Sequence, residues 1–539
     1  ADEFRRRRGY DLLSRLPALW DADGPEGERV RADYHAVRAA LAEEAWFKPQ
    51  AAWFSRYGMI CGFDTDDGAR YAEPVNAVVR YADYPRTHRW YGAPGTDHRG
   101  DPKFYSSLAH LYGLPRVWLE AFHSSGWGAT PEETFDWLLP WLRAGATLWD
   151  PHAVYYSTRG GWWEWAPLSY CWRQPYWRHF RLLTLAVTRL GWLLSQGRHV
   201  CDIAVLYPTA AVHAHLTPTG PLPEATAISA AYLELVGRLT WEDKRVGALD
   251  RERRDFDVVD DASVQQSQVA DGLLVIGSEQ YGVVILPRCT ALERATAARL
   301  CAFVEAGGRL VAVGEAPALE VDGDGAQVGR LRALLESGRA ICVAGAADVP
   351  AALADRPRAI EAPVPVLHRR DGDRAIVFVS AAFPGAAQVD GRIPDIQVDL
   401  DHARYARTMR LRVTGVTGDP DLWDPFTGER CCVPARAVPG GVEVDVTFPH
   451  GPAAVLVWPG APSSPRLLPA PIRVWQRVDG PWAVRLEPTL DNRFGDFALP
   501  AHAGAPPVQT WRFEHRLEPD GVDGLAAGWW GGGAPAGGR

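Results

Sequence analysis

The chain has 539 residues, 47% of them hydrophobic and 23% charged, which is enough for three or four globular domains. Its formal net charge of −9 and pI near 6.0 argue against a nucleic-acid-binding surface, and the one basic run, Arg5 to Arg8, sits beside Asp2 and Glu3 as a solvated helix face. The eight cysteines have neither zinc-ligand nor redox spacing, which points to buried free thiols, and the longest apolar stretch, around Leu182 to Leu194, is broken by Arg189, so no membrane span is expected.

Residues 1–200 alternate helical and strand-like segments. A helix over about 27–55 precedes a strand candidate at 57–63, which ends in Asp64-Thr65-Asp66-Asp67. A second strand candidate, 86–91, leads to Pro94-Gly95-Thr96-Asp97-His98. A helix over about 101–113 leads to the apolar run 115–120, which closes on Glu120 and passes into the polar loop containing His123 and Trp127. A helix over about 131–144 precedes the strand 146–150, followed by Pro151 and His152. Every strand ends in polar or ionisable residues, which places function at one end of a βα array. Fifteen of the 23 tryptophans lie before residue 193. Core packing accounts for Trp118, Trp137, Trp141 and Trp192, whereas Trp162-Trp163-Glu164-Trp165, between Gly161 and Pro167, reads as a loop presenting rings to a ligand.

Four strands make half of a closed eight-stranded barrel and leave two parallel edges and an unfilled interior. Either the N-terminal half is lost from this chain or a partner supplies it. A start at Ala1 without Met, inside a helix-like segment, favours loss and leaves localisation open: a soluble, bacterial-type protein is expected, with a signal peptide not testable.

From 201 to 358 short continuous apolar runs at 202–208, 256–259, 273–276, 283–287 and 309–314 alternate with helices, the pattern of a parallel sheet covered on both faces. It carries neither a GxGxxG fingerprint nor a phosphate loop, and a structural or oligomerising role is expected. Beyond 359 alternating runs at 375–379, 409–413, 442–448 and 453–458 indicate a β-sandwich. Residues 463–539, with strand candidates at 472–477 and 482–486, begin a further, incomplete β domain. The fold class is therefore α/β plus all-β: a partial (β/α)8 (TIM) barrel over 1–200, a flavodoxin-like α/β domain over 201–358 and a β-sandwich over 359–462.

A carboxylate at the C-terminal end of a barrel strand, among aromatics, suits glycosidic bond chemistry, and Glu120 is the candidate catalytic residue. The plain alternative is a strand-end Glu paired with a neighbouring Arg. Cleavage needs a second carboxylate, at about 6.5–9.5 Å for inversion or about 5–5.5 Å for retention. Asp64, Asp66, Asp67, Asp97 and Glu164 are the candidates, with Asp97 and Asp64 ranked first and each better suited to holding sugar hydroxyls. His98, His123 and His152, with Trp127, Trp162, Trp163 and Glu164, complete the expected substrate site, and His88 falls near the same end. No cofactor is required, although Asp64, Asp66 or Asp67 could hold calcium. A metal hydrolase built on His88, His98 and His152 lacks any established ligand spacing, and HExxH is absent. From another class, a non-catalytic carbohydrate-binding module would keep the aromatic cleft without a carboxylate pair within about 10 Å of Glu120. The expected partner is an oligosaccharide or glycoside, with no nucleic acid and no membrane, and homo-oligomers are open.

The segments Glu3-Phe4-Arg5-Arg6-Arg7-Arg8-Gly9-Tyr10-Asp11, Leu119-Glu120-Ala121-Phe122 with Gly126-Trp127, Ala204-Val205-Leu206-Tyr207-Pro208 and Leu422-Trp423-Asp424-Pro425-Phe426-Thr427-Gly428-Glu429 resemble glycoside hydrolases of the family-106 α-L-rhamnosidase type. The likeness covers roughly 1–460 and extends, more distantly, to β-galactosidases with a flavodoxin-like domain. It implies that Glu120 stands on the seventh barrel strand, as base in an inverting enzyme or nucleophile in a retaining one. The acid would stand on the fourth strand, before Ala1, so the resemblance puts the activity of this chain alone in question.

Overall fold

The computed structural model describes residues 1–20, 24–62, 72–97, 100–122, 125–126, 128–154, 168–171, 174–240, 244–390, 397–401, 404–405 and 408–460, together with the backbone of two further strands at 482–486 and 511–515. Helix α1 (Asp2–Arg8) precedes α2 (Pro25–Ala42), which begins at Pro25 with Glu26 and Glu28 in its first turn, where free N–H groups favour acid. A π turn at Glu43–Phe47 carries the chain into α3 (Lys48–Arg56). Within it the buried Glu43 carboxylate accepts from Arg86 Nε (2.7 Å), Arg89 Nη2 (2.9 Å) and Trp90 Nε1 (2.9 Å).

Two of the four strands expected in residues 1–200 are displaced. Residues 57–61 form no ladder, and Gly62 alone makes a parallel bridge, to Ala93. Residues 86–91 do not form a strand: α4 (Pro74–Tyr81) is followed by α5 (Tyr84–His88). Asp83 caps α5 by accepting from Arg86 N, and Pro85 lies in its first turn, so local capping starts a helix where a strand was expected. The strand falls later, at β1 (Gly95–Asp97). A β-carbon on Gly95 would lie 2.0 Å from Trp118 O, so only glycine permits this close approach. α6 (Pro102–Tyr112) leads to β2 (Trp118–Ala121), and α7 (Pro131–Arg143) leads to β3 (Leu148–Pro151). The three strands pair in parallel and in chain order, and no closed barrel forms among the described residues. α7 opens on a Thr130–Glu133 capping box and stacks Trp137 on Trp141 at 4.0 Å. α8 (Phe180–Leu193) packs beside it, but its Trp192 is exposed and does not join the core.

β4 (Arg198–His199) leads to β5 (Ile203–Leu206) of the second unit. With β6 (Phe256–Val259), β7 (Val283–Pro287), β8 (Arg309–Val313) and β9 (Ile341–Val343), β5 builds a parallel sheet in the order β6-β5-β7-β8-β9. Relative to chain order this is 2-1-3-4-5, a doubly wound arrangement. Val283 to Leu286 are buried without interruption, as a strand covered on both faces must be. The run 273–276 is not part of this sheet. It is the middle strand of an antiparallel meander, with Leu274 and Ile276 inward and Leu273 and Val275 partly exposed.

The third unit packs two antiparallel sheets. The smaller contains β10 (Ile360–Glu361), β13 (Thr408–Thr414), β16 (Ala435–Val438) and β17 (Gly441–Thr447). The larger contains β11 (Leu367–Asp371), β12 (Arg374–Ser380), β14 (Asp421–Trp423), β15 (Arg430–Cys432), β18 (Ala453–Trp458) and, at its edge, β4. Val377 and Leu456 meet Leu411 and Val444 between the sheets. From the opposite face of the larger sheet, Phe378 and Val455 pack against α7, α8 and the core side of β2. All eight cysteines are free, yet only Cys171, Cys289 and Cys301 are fully buried and Cys342 is exposed. The strands Trp482–Leu486 and Trp511–His515 pair antiparallel, while the expected strand at 472–477 lies outside the described residues. No helix is long and apolar enough to cross a membrane among the described residues.

Candidate active site

Side chains in β2 alternate between two environments. Leu119 and Ala121 are buried against α7 and α8, so Glu120 projects from the opposite face. The register aligns Asp97, Glu120 and Asp150 across β1, β2 and β3. Neighbouring strands lie about 4.8 Å apart, so three carboxyl-bearing residues form one row across this face. Glu120 is 26% exposed and His152 23% exposed, with His152 Nε2 3.9 Å from Glu120 Oε1. The ends of β2 and β3 are tied together by His152 N and Trp149 Nε1, which both donate to Ala121 O, at 2.7 and 3.0 Å. Asp97 is buried, and its carbonyl accepts from Gly100 N at 2.8 Å.

The structure thus brings together Glu120, Asp97 and His152. Asp64, Asp66, Asp67, His98, His123, Trp127, Trp162, Trp163 and Glu164 lie outside the described residues. His88 is a core side chain. Its ring packs 4.0 Å from Tyr84 and 4.8 Å from Tyr81, Nδ1 lies 3.0 Å from Tyr84 O, and burial pushes its pKa down to about 3. Asp150 was not among the expected site residues, although it is the penultimate residue of β3 as Glu120 is of β2.

A second polar cluster was not among the expected site residues. His199 Nδ1 donates to Asp257 Oδ2 at 2.9 Å and Nε2 donates to Asp255 Oδ2 at 2.7 Å. Lys103 Nζ reaches Asp255 Oδ1 at 2.6 Å, and Tyr281 OH donates to Asp257 Oδ2 at 3.0 Å. Burial opposes charge on His199, but Asp257 and then Cys201 and Asp255 outweigh it and hold the imidazole well above its ordinary pKa. Burial likewise pushes Asp257 up, and His199 and His110 outweigh it and hold the carboxyl well below the usual range. Two carboxylates therefore meet two cations, His199 and Lys103.

His110, His199 and Asp257 put ligand-type atoms within 4.8 Å of one another. Arg369 Nη1 lies 3.1 Å from His110 Nε2 and can only donate, so His110 carries its proton on Nδ1, which donates to Asp257 Oδ1 at 2.8 Å. That nitrogen has no lone pair for a cation, and the group is an ionic cluster rather than a metal cradle. Cys201, 3.6 Å from Asp257, is no nucleophile: burial and then Asp257 push its thiol up to about 12.

The crevice at the C-terminal edge of a doubly wound sheet is the usual ligand position. Here the first unit fills it. Tyr207 OH donates to Ala72 O (3.0 Å), Arg31 Nε donates to Ala214 O (2.7 Å), and His35 Nε2 lies 2.9 Å from Leu216 O.

No protein-family model and no curated protein matches the sequence. Solved structures do match. A rhamnosidase from Novosphingobium sp. PP1Y superposes with a TM-score of 0.60 at 19% identity, over 91% of this chain and 45% of that one. The fold is shared with that rhamnosidase. The β-galactosidase of Bacillus circulans sp. alkalophilus matches with a TM-score of 0.53 at 12% identity, over 84% of this chain and 75% of the other. A catalytic mutant of Gan42B, a GH42 β-galactosidase from G. stearothermophilus, gives 0.51 at 12%, over 85% and 75%. The chain spans under half the length of the rhamnosidase it matches.

Proposed function

We propose that this chain carries a glycosidase site of the α-L-rhamnosidase-like type, acting on O-glycosidic bonds of plant- or microbe-derived glycans at the end of β2. Glu120 is the base if the outcome is inversion and the nucleophile if it is retention. Asp97 and His152 hold sugar hydroxyls, and Asp64, His98, His123, Trp127, Trp162, Trp163 and Glu164 complete the substrate site. The chemistry needs no cofactor.

The row Asp97–Glu120–Asp150 is the observation that carries this reading. Core side chains fill the other face of β2, and the fold shared with a rhamnosidase and two β-galactosidases supports the same end of the strands as the working end. The second reading, a carbohydrate-binding fragment without a catalytic pair, calls for no carboxylate within about 10 Å of Glu120. Two in-register neighbours on adjacent strands, about 4.8 Å away in the backbone, speak against it.

Glu120→Gln should lower turnover of 4-nitrophenyl α-L-rhamnopyranoside by about 10²–10⁴-fold while rhamnose still binds. Unchanged turnover would remove Glu120 from the chemistry.

A further inference from the structure

We propose that the bridge formed by His199 between Asp255 and Asp257 is a positioning device for the candidate site, acting through α6. This rests on the glycosidase reading above. α6 joins β1, which ends in Asp97, to β2, which carries Glu120, so the seat of α6 sets how those two carboxylates face each other.

The seat is built from polar bonds along one helix face. Lys103, Ser107 and His110, spaced four and three residues apart, all reach the β6 segment. Lys103 Nζ meets Asp255 Oδ1 at 2.6 Å, Ser107 Oγ accepts from Val258 N at 2.8 Å, and His110 Nδ1 donates to Asp257 Oδ1 at 2.8 Å. β6 is the edge strand of its sheet, and the Val258 N–H is an edge donor that α6 satisfies. His199 enters from β4, which pairs with β11 of the third unit, and Arg369 of β11 holds the far nitrogen of His110. The two imidazoles stack at 4.5 Å, where all three units meet.

Apolar packing tolerates sliding, whereas these bonds admit one register. A shift of α6 by one residue moves it about 1.5 Å along its axis. A misplacement of about 1 Å in a group that positions substrate can cost about 10²-fold in rate, so such a shift would carry Asp97 away from the sugar on which Glu120 acts.

The test compares His199→Gln, Asp257→Asn and Lys103→Met with the doubly neutral His199→Gln/Asp257→Asn. Amide hydrogen exchange at 95–97 and 117–121 should run about tenfold faster in the single variants at pH 7, with 374–380 unchanged, and the double variant should restore protection. With 4-nitrophenyl α-L-rhamnopyranoside the single variants should lose kcat at nearly constant KM, and the double variant should recover it. If His199→Gln alone does not fold, Asp257→Asn and Lys103→Met carry the same expectation. Unchanged exchange at 117–121 in the single variants overturns the proposal, as does a double variant no better than either parent. If the wild type leaves the glycoside intact while exchange responds as expected, the glycosidase reading fails and the positioning role stands.

Discussion

Asp257 sits between Phe256 and Val258 in a strand of otherwise apolar side chains and is fully buried. An acid at that place in a sheet strand implies a buried cation, a signal present in the sequence, but the partners lie 58 and 147 residues away and nothing local names them. The place of Glu120 near the end of a strand was legible because an apolar run ends on it and a polar loop follows. Removing one member of a buried ionic group leaves the others unpaired, so Asp257→Ala should cost about 3–5 kcal/mol in chemical denaturation. Asp445→Ala, which breaks an exposed pair with Arg410, should cost less than about 1 kcal/mol. His368 offers a test with pH. It is buried with neither ring nitrogen hydrogen-bonded, and burial and then His199 push its pKa down to about 4. Between pH 6.5 and 4 the unfolded chain binds a proton there that the folded chain refuses, so stability falls as pH falls, by up to about 1.4 kcal/mol per pH unit for that group. His368→Phe should therefore flatten the acid limb of a stability–pH curve; an unchanged limb would show that His368 does not titrate in this window.

Elements whose pattern agrees with their caps were readable, and those where the two disagree were not. Residues 131–143 present a capping box, a proline at the first position and apolar residues on one face, and α7 forms there. Residues 86–91 were expected as a strand, yet Asp83 and Pro85 start a helix just upstream, and the short α5 follows the cap. The run 273–276 has the composition of a central strand but pairs on both sides with antiparallel neighbours in a meander. Composition reports burial, and pairing direction depends on chain reversals that composition does not encode. β1 is only three residues long and depends on Gly95, whose missing side chain lets it approach Trp118 O. Gly95→Ala should push β1 off β2, cost roughly 1–3 kcal/mol and lower the melting temperature by several degrees. A variant as stable as the wild type would mean that β1 does not need that contact.

Across the whole chain, all sixteen large hydrophobic side chains recorded as exposed lie between Leu13 and Trp192, and none lies in the two later units as described. The change in the sequence from helical to continuous to alternating apolar patterns runs in the same order as the short parallel array, the doubly wound sheet and the paired antiparallel sheets. Trp46, Trp53, Tyr57, Met59 and Ile60 precede the Gly62 bridge in the chain, and Leu148, Val154, Trp177, Leu182 and Trp192 lie in β3 and the described segments that follow it. Ten such side chains, each about half exposed, offer on the order of 1,000 Å², more than the ~800 Å² that each partner buries in a stable pair. A two-fold axis along the strands would bring each end of one copy against the opposite end of another with every strand still parallel. Concentration-dependent pairing is therefore expected in sedimentation equilibrium, and Ile60→Asp or Leu148→Asp should raise the dissociation constant at least about tenfold by placing a charge in the apolar contact. A single monomeric species across micromolar to high micromolar concentrations, in the wild type and both variants, would show that these edges do not meet each other.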